Sequence, residues 1–136
     1  MSKYIFLFQL DSVITKQEIC KLNNTELLDD IEINEKLVGF IKKNKERCYI
    51  FINNQNKWIE SFIQKIGLEK NVLYLKIPVL SFVAVGNRSD DAEMMKVAEV
   101  AIGYGAVREI SPEVLSCASH AIYEEEKLIE FMKRLL

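Results

Sequence analysis

The chain has 136 residues and a net charge of −2; 49% of its residues are hydrophobic and 28% are charged. This composition is typical of a globular protein, and the length predicts a single domain over residues 1–136. Because no face or tail is strongly basic, a nucleic-acid partner is not expected. No apolar run reaches the roughly 18 residues of a membrane span, so a membrane partner is not expected either.

The cysteines Cys20, Cys48 and Cys117 are far apart in the sequence and form no Cys-x-x-Cys pair. An odd number of widely spaced cysteines is typical of free thiols in a reducing compartment. The predicted location is therefore the cytoplasm, and a metal site built on cysteine is not expected.

Short, continuously apolar runs alternate with amphipathic segments along the chain, a pattern typical of strands buried on both faces of a parallel sheet. The predicted strands are residues 4–10, 48–52, 72–75, 82–85, 100–102 and 121–123. The predicted helices are residues 34–47, 55–66, 89–98 and 124–136, and another that begins at residues 111–112. Asn34, Ser89 and Ser111 are predicted N-caps. The alternation predicts an α/β domain with a mostly parallel sheet.

Ligands of an open parallel sheet bind beyond the carboxyl ends of its strands. The polar residues that follow the predicted strands are therefore the candidate site residues. They are Gln9, Asp11, Ser12, Thr15, Asn53, Asn54, Asn87, Arg88, Ser89, Asp90 and Asp91.

Two of these polar segments resemble motifs of a known enzyme family. Residues 9–13 read Gln-Leu-Asp-Ser-Val, and residues 86–91 read Gly-Asn-Arg-Ser-Asp-Asp, followed by a helix-like segment. They are similar to the Asp-x-Asp-x-Thr/Val and Gly-Asp-x-x-x-Asp motifs of the haloacid dehalogenase superfamily, closest to its phosphoserine-phosphatase-like branch. Residues 100–105, Val-Ala-Ile-Gly-Tyr-Gly, also fit, so the resemblance spans nearly the whole chain. It implies a three-layer, Rossmann-like domain.

The resemblance implies a catalytic role for the first motif and a phosphate-binding role for later residues. Gln9 stands where the family has the aspartate that forms an aspartyl-phosphate, and Asp11 stands where it has the general acid/base. Asn53 replaces the hydroxyl residue that would bind the phosphoryl group. Lys70 and Lys76 are the nearest candidates for the family's lysine, and Lys76 is taken as the phosphate-binding one.

For the metal, the resemblance implies Mg²⁺ held by Asp91, with Asp90 and Asn87 as weaker candidates. Hard cations prefer anionic oxygen ligands, but the positions of Gln9 and Asn87 carry neutral amides. Magnesium binding is therefore expected to be weak. An amide is also a very poor nucleophile toward phosphorus, so catalysis is expected to be impaired.

The predicted function is that of a phosphatase-derived binding or regulatory module, with a small phosphate-containing molecule as its expected ligand class. One alternative is a slow Mg²⁺-dependent phosphohydrolase that uses water directly, with Asp11 as general base and Asp91 holding the metal. Another is a pure interaction protein whose remnant site binds nothing.

The segment between the first two motifs, residues 16–47, is too short for the cap domain that many relatives carry there. The resemblance therefore implies a chain without a sizeable cap. Since capless relatives often associate, a homo-oligomer is a further expectation from the resemblance.

Overall fold

A computed structural model describes residues 4–19, 30–52, 57–74 and 81–136. Within these ranges the strands are β1 Ile5–Gln9, β2 Cys48–Ile52, β3 Val72–Tyr74, β4 Phe82–Gly86, β5 Val100–Tyr104 and β6 His120–Ile122. The helices are α1 Glu35–Lys43, α2 Lys57–Lys65, α3 Ala92–Lys96, α4 Pro112–Leu115 and α5 Glu125–Leu135.

The six strands form one sheet in the order β3-β2-β1-β4-β5-β6, and every neighbouring pair is parallel. The chain builds outward from β1 to β3 and then returns to the other side of β1 with β4. The order of the strands therefore reverses between β1 and β4, which is where open α/β sheets form their binding crevice. Residues that leave the carboxyl ends of β1 and β4 lie at this crevice.

Alternate side chains of β1 pack into opposite layers because successive residues of a strand point to opposite faces. Phe6 and Phe8 belong to a buried cluster that includes residues of α1, α2 and α5. Leu7 belongs to a second cluster with Met94 and Met95 of α3 and with a residue of α4. Helices therefore cover both faces of the sheet, and the predicted three-layer α/β class is confirmed.

Most described element ends lie within two residues of the predicted ones, but the helix predicted at residues 34–47 ends at Lys43. The strand predicted at residues 48–52 matches β2 at both ends, and the side chain of Ser111 accepts the N–H of Val114, as a cap should. The helix predicted at 89–98 instead begins with a 3₁₀ turn, Ser89–Asp91, so Ser89 is not its cap. Residues 55 and 56 of a predicted helix and residue 75 of a predicted strand lie outside the described ranges.

Asn34 stands at the start of α1, but its side chain does not cap the helix. Its amide donates to the carbonyl oxygen of Val13 at 2.6 Å. The N–H of Leu37, in the first turn of α1, is bonded at 3.0 Å by the carboxylate of Glu125 from α5. A residue distant in sequence thus supplies the acceptor that was expected from Asn34.

Between β1 and α1, the described residues 10–19 and 30–34 contain one wide turn and one antiparallel bridge, Thr15 to Ile33, and no cap domain. In the part of the chain that the structure describes, no helix combines the length and the hydropathy that crossing a bilayer requires.

Burial predicts a difference in reactivity between two cysteines. Cys48 lies in the core with no exposed surface, whereas Cys117 is partly exposed. Burial raises the pKa of the Cys48 thiol to about 12, and only the thiolate reacts with alkylating agents. We expect iodoacetamide at pH 8 to modify Cys117 in the folded protein and Cys48 only after unfolding, as mapped by peptide mass spectrometry. Equal labelling of both thiols in the folded protein would contradict the buried placement of β2.

Candidate active site

The backbone turns sharply where β1 ends. Residues Leu10–Ile14 form a single wide turn, closed by a hydrogen bond of 3.2 Å from the Thr15 N–H to the Leu10 carbonyl. Within it, Ser12 has φ 65°, a left-handed conformation that is uncommon for a residue other than glycine. The hydroxyl oxygen of Thr15 accepts the Ser12 N–H at 2.9 Å. This turn brings Asp11 to the crevice between β1 and β4.

Gln9, the last residue of β1, is buried, with only 6% of its surface exposed. Two hydrogen bonds fix the orientation of its side chain. Its side-chain oxygen accepts the N–H of Leu10 at 3.0 Å. Its side-chain nitrogen donates to Oδ1 of Asp91, which follows β4. Because the amide oxygen is held by Leu10, the amide nitrogen must face the carboxylate.

Asp91 has no exposed surface, and its carboxylate accepts three hydrogen bonds from neighbouring residues. Besides Gln9, the backbone N–H groups of Asn87 and Arg88 donate to its Oδ2 at 2.9 and 3.0 Å. Burial raises the pKa of Asp91 above its usual value, and the hydrogen bonds from Arg88, Gln9 and Asn87 oppose this shift. The carboxylate therefore anchors the loop that follows β4 to the end of β1.

Asn87 is fully buried and joins three segments of the chain. Its side-chain nitrogen donates to the carbonyl oxygens of Ser12 at 3.0 Å and Tyr104 at 3.1 Å. These oxygens belong to the turn after β1 and to the end of β5. The side-chain oxygen of Asn87 has no hydrogen-bond donor among the described residues.

Asp11 is held on several sides. Its Oδ1 accepts the hydroxyl of Ser12 at 3.0 Å and the N–H of Ile19 at 2.8 Å. Its Oδ2 accepts Nη1 of Arg88 at 2.6 Å. Arg88, with 25% of its side chain exposed, also pairs with Asp90 at 3.3 Å, and Asp90 is 46% exposed. The arginine therefore links the rim of the site to the residue that the family resemblance makes the acid/base.

The predicted site residues thus fall into groups. Gln9, Asp11, Asn87 and Asp91 come together between β1 and β4, and Asp90 reaches the same place through Arg88. Asn53 and Lys76 lie outside the described residues. Lys70 precedes β3 and so stands at the amino ends of the parallel strands, opposite the crevice, which removes it as a phosphate-binding candidate.

The sequence predicts no contact between Arg88 and Asp11, but the structure shows one. A usable signal was present, since Arg88 lies inside the second motif, directly between Asn87 and the acidic pair. What was missing was the conformation of the loop. The hydrogen bonds to Asp91 hold the backbone of residue 88 at the crevice, and the side chain then reaches Asp11.

The donors that the described residues present, as arranged, do not fit Mg²⁺, which requires about six oxygen ligands in octahedral geometry. Both oxygens of Asp91 accept N–H groups, and both oxygens of Asp11 are engaged by Ser12, Ile19 and Arg88. Gln9 presents an N–H to Asp91 rather than an oxygen. Among the described residues, no group of three or more acidic, histidine or cysteine side chains could hold a metal. The buried side-chain oxygen of Asn87 could be one ligand, but a single ligand does not make a coordination sphere.

Comparison with known proteins shows the fold. No protein-family model and no curated protein matches the sequence. Among solved structures, the chain is similar to a phosphoserine phosphatase in its apo form, with TM-score 0.67 and 17% identity over 99% of this chain and 100% of that one. A phosphoserine phosphatase solved as an analogue of its phospho-aspartyl intermediate gives TM-score 0.65 and 15% identity, covering 100% of both chains.

A third similar structure is that of DsGPDH of Dunaliella salina, with TM-score 0.68 and 17% identity over 93% of this chain. The chain spans only 28% of that protein's length. At such identities the likeness shows the fold alone. The chain therefore has the haloacid dehalogenase-like fold in its phosphoserine-phosphatase-like form, as the motifs indicated.

The close approach of Asp91 to β4 predicts that Gly86 must stay glycine. A Cβ at this position would lie 2.8 Å from Cβ and 2.9 Å from Cγ of Asp91, closer than carbon atoms pack. We expect Gly86→Ala to lower the free energy of unfolding by about 1–3 kcal/mol, measured by urea denaturation.

Gly39 is the matched control for this substitution. It lies inside α1, and a Cβ there would meet nothing within 4 Å. We expect Gly39→Ala to raise the free energy of unfolding by about 0.5–1 kcal/mol, because alanine restricts the unfolded chain more than glycine does. A Gly86→Ala protein as stable as the Gly39→Ala protein would disprove the contact with Asp91.

Proposed function

We propose that this chain is a phosphatase-derived domain that has lost its hydrolase activity and acts as a binding or regulatory module. The observation that carries the proposal is the state of Gln9. The residue stands where the family resemblance requires a nucleophilic carboxylate, and both ends of its amide are engaged, by Leu10 and by Asp91. An amide in this position has no charge with which to attack phosphorus.

The state of Asp11 supports the same proposal. A general acid/base must be able to exchange a proton with the reacting group. Asp11 keeps the required position at the crevice, but its Oδ2 is in an ion pair with Arg88 and its Oδ1 accepts two further hydrogen bonds. In enzymes that use a covalent nucleophile, loss of that group alone can cost about 10⁶ in rate, the scale known from subtilisin.

The charges at the crevice bear on the ligand. The guanidinium of Arg88 pairs with the carboxylates of Asp11 and Asp90, and the carboxylate of Asp91 accepts the backbone N–H of Arg88. These described residues therefore bring three carboxylates and one guanidinium to the crevice. A small phosphate-containing ligand, the expected class, is negatively charged, so cationic groups other than Arg88 would have to neutralise its charge. Titration calorimetry with inorganic phosphate separates the remnant ligand site from a pure interaction protein, since only the former gives saturable heat.

The alternative is a slow phosphohydrolase in which water attacks directly and no nucleophile is needed at position 9. The observation in its favour is that Asp11 is retained at the crevice and is held in place by the N–H of Ile19. Such an enzyme would release Asp11 from Arg88 before reaction and would use it as a general base. Beryllofluoride, which mimics an aspartyl-phosphate, would form no adduct at Gln9 under either mechanism.

The test is hydrolysis of p-nitrophenyl phosphate by the purified protein with MgCl₂, followed by the absorbance of the p-nitrophenolate released. We expect no turnover above buffer, because the side chain at position 9 cannot form a phosphoenzyme. Asp11→Asn is the control, and we expect its trace to be the same as that of the wild type. Turnover that Asp11→Asn abolishes, in a variant with an unchanged circular dichroism spectrum, would overturn the proposal in favour of the alternative.

The cytoplasmic location and the homo-oligomer stay predictions of the sequence. Light scattering coupled to gel filtration measures the second directly.

A further inference from the structure

Three segments meet at the point where the strand order reverses: the end of β1, the loop after β4 and the end of β5. A bound divalent cation would join such segments by taking an oxygen ligand from several of them. Here the joining atoms are amide nitrogens. Gln9 connects β1 to Asp91, and Asn87 connects the loop after β4 to the carbonyls of Ser12 and Tyr104.

We propose that the amides of Gln9 and Asn87 hold this site together in place of a divalent cation, so that the site is a metal-independent structural joint. The inference concerns stability and does not rest on the absence of turnover. It follows from which atoms are donors and which are acceptors, together with their burial.

The first observation behind this inference is the orientation of the Gln9 side chain. Since its oxygen accepts the Leu10 N–H, its nitrogen is the only atom left to face Oδ1 of Asp91. Gln9 is 6% exposed and Asp91 is 0% exposed, so water cannot supply the donor instead. A glutamate of the same length would place a carboxylate oxygen against a carboxylate oxygen in a buried site, which is strongly unfavourable without a cation between them.

The second observation is that the side-chain nitrogen of Asn87 donates to two carbonyl oxygens. Its nitrogen lies 3.0 Å from the Ser12 oxygen and 3.1 Å from the Tyr104 oxygen, with no exposed surface. An aspartate would turn both contacts into oxygen–oxygen repulsions. At the opposite edge of the sheet, Asn71 makes the same pair of bonds, to the carbonyls of Lys45 at 2.8 Å and Cys48 at 2.9 Å. Asn71 therefore offers a matched position remote from the acidic residues of the crevice.

The first experiment measures thermal unfolding of the wild type and of Gln9→Glu, each in EDTA and in MgCl₂. We expect the wild-type Tm to be the same in both. We expect Gln9→Glu to lower the Tm by about 10 °C in EDTA, because the buried carboxylates repel each other, and MgCl₂ to restore most of the loss. Gln64→Glu, the same change at an exposed position of α2, is the control and should leave the Tm unchanged in both buffers.

The second experiment keeps the inference testable if Gln9→Glu does not fold. Asn87→Asp and Asn71→Asp are compared in the same two buffers. Both should lower the Tm in EDTA, since each loses a donor shared by two carbonyls, but only Asn87→Asp should recover with MgCl₂, because Asp91 lies beside it. A wild-type Tm that rises by several degrees with MgCl₂, a Gln9→Glu protein as stable as Gln64→Glu, or equal responses of the two aspartate variants would each overturn the inference.

These outcomes are independent of the activity assay. Turnover by the wild type would disprove the proposed function. The metal-independent joint would still be tested by whether MgCl₂ changes the Tm. Conversely, a wild type that magnesium stabilises but that hydrolyses nothing would overturn the metal-independent joint and leave the proposed function standing.

Discussion

A carboxylate buried in a protein core must receive its hydrogen bonds from the protein, and in this fold that carboxylate is Asp91. One of its oxygens accepts the amide of Gln9, and the other accepts the backbone N–H groups of Asn87 and Arg88. Because these donors come from β1 and from the loop after β4, the carboxylate connects the two strands at the reversal point. The loop conformation, the need for glycine at position 86 and the reach of Arg88 to Asp11 follow from this anchor.

The same arrangement bears on the proposed loss of hydrolase activity in a chain that has a phosphatase-like fold. Reactive groups in enzymes are commonly held in environments that leave them incompletely satisfied, at some cost in stability. At this crevice the hydrogen-bonding groups of Gln9, Asp11 and Asp91 are taken up by neighbouring residues. The buried amide oxygen of Asn87, by contrast, has no hydrogen-bond donor among the described residues. Under the proposed function, this mutual hydrogen bonding stabilises the resting site and leaves few groups with which to bind and activate a phosphoryl group.

Much of the fold could be predicted because continuous apolar runs mark strands that are buried on both faces. The run at residues 48–52 predicted β2 to the residue, and the ordered motifs predicted a site at the carboxyl ends of β1 and β4. The side-chain partners could not be predicted in the same way. Asn34 looks like a helix cap in sequence, but the carbonyl of Val13 takes its amide, and Glu125 from α5 bonds the first turn of α1 instead. Such exchanges depend on packing between elements that are far apart in the chain.

The sequence by itself determined the chemistry available at the crevice: an amide at position 9, an amide at position 87 and carboxylates at positions 11, 90 and 91. Residue type decides whether an atom can attack, accept or donate, and no fold changes that. Only the tertiary structure decided that the nitrogen of Gln9 faces Asp91, 82 residues away, and that Arg88 pairs with Asp11. The physical reason is that a hydrogen bond depends on the distance and direction between two groups, and those are set when β1 and β4 come together in the sheet.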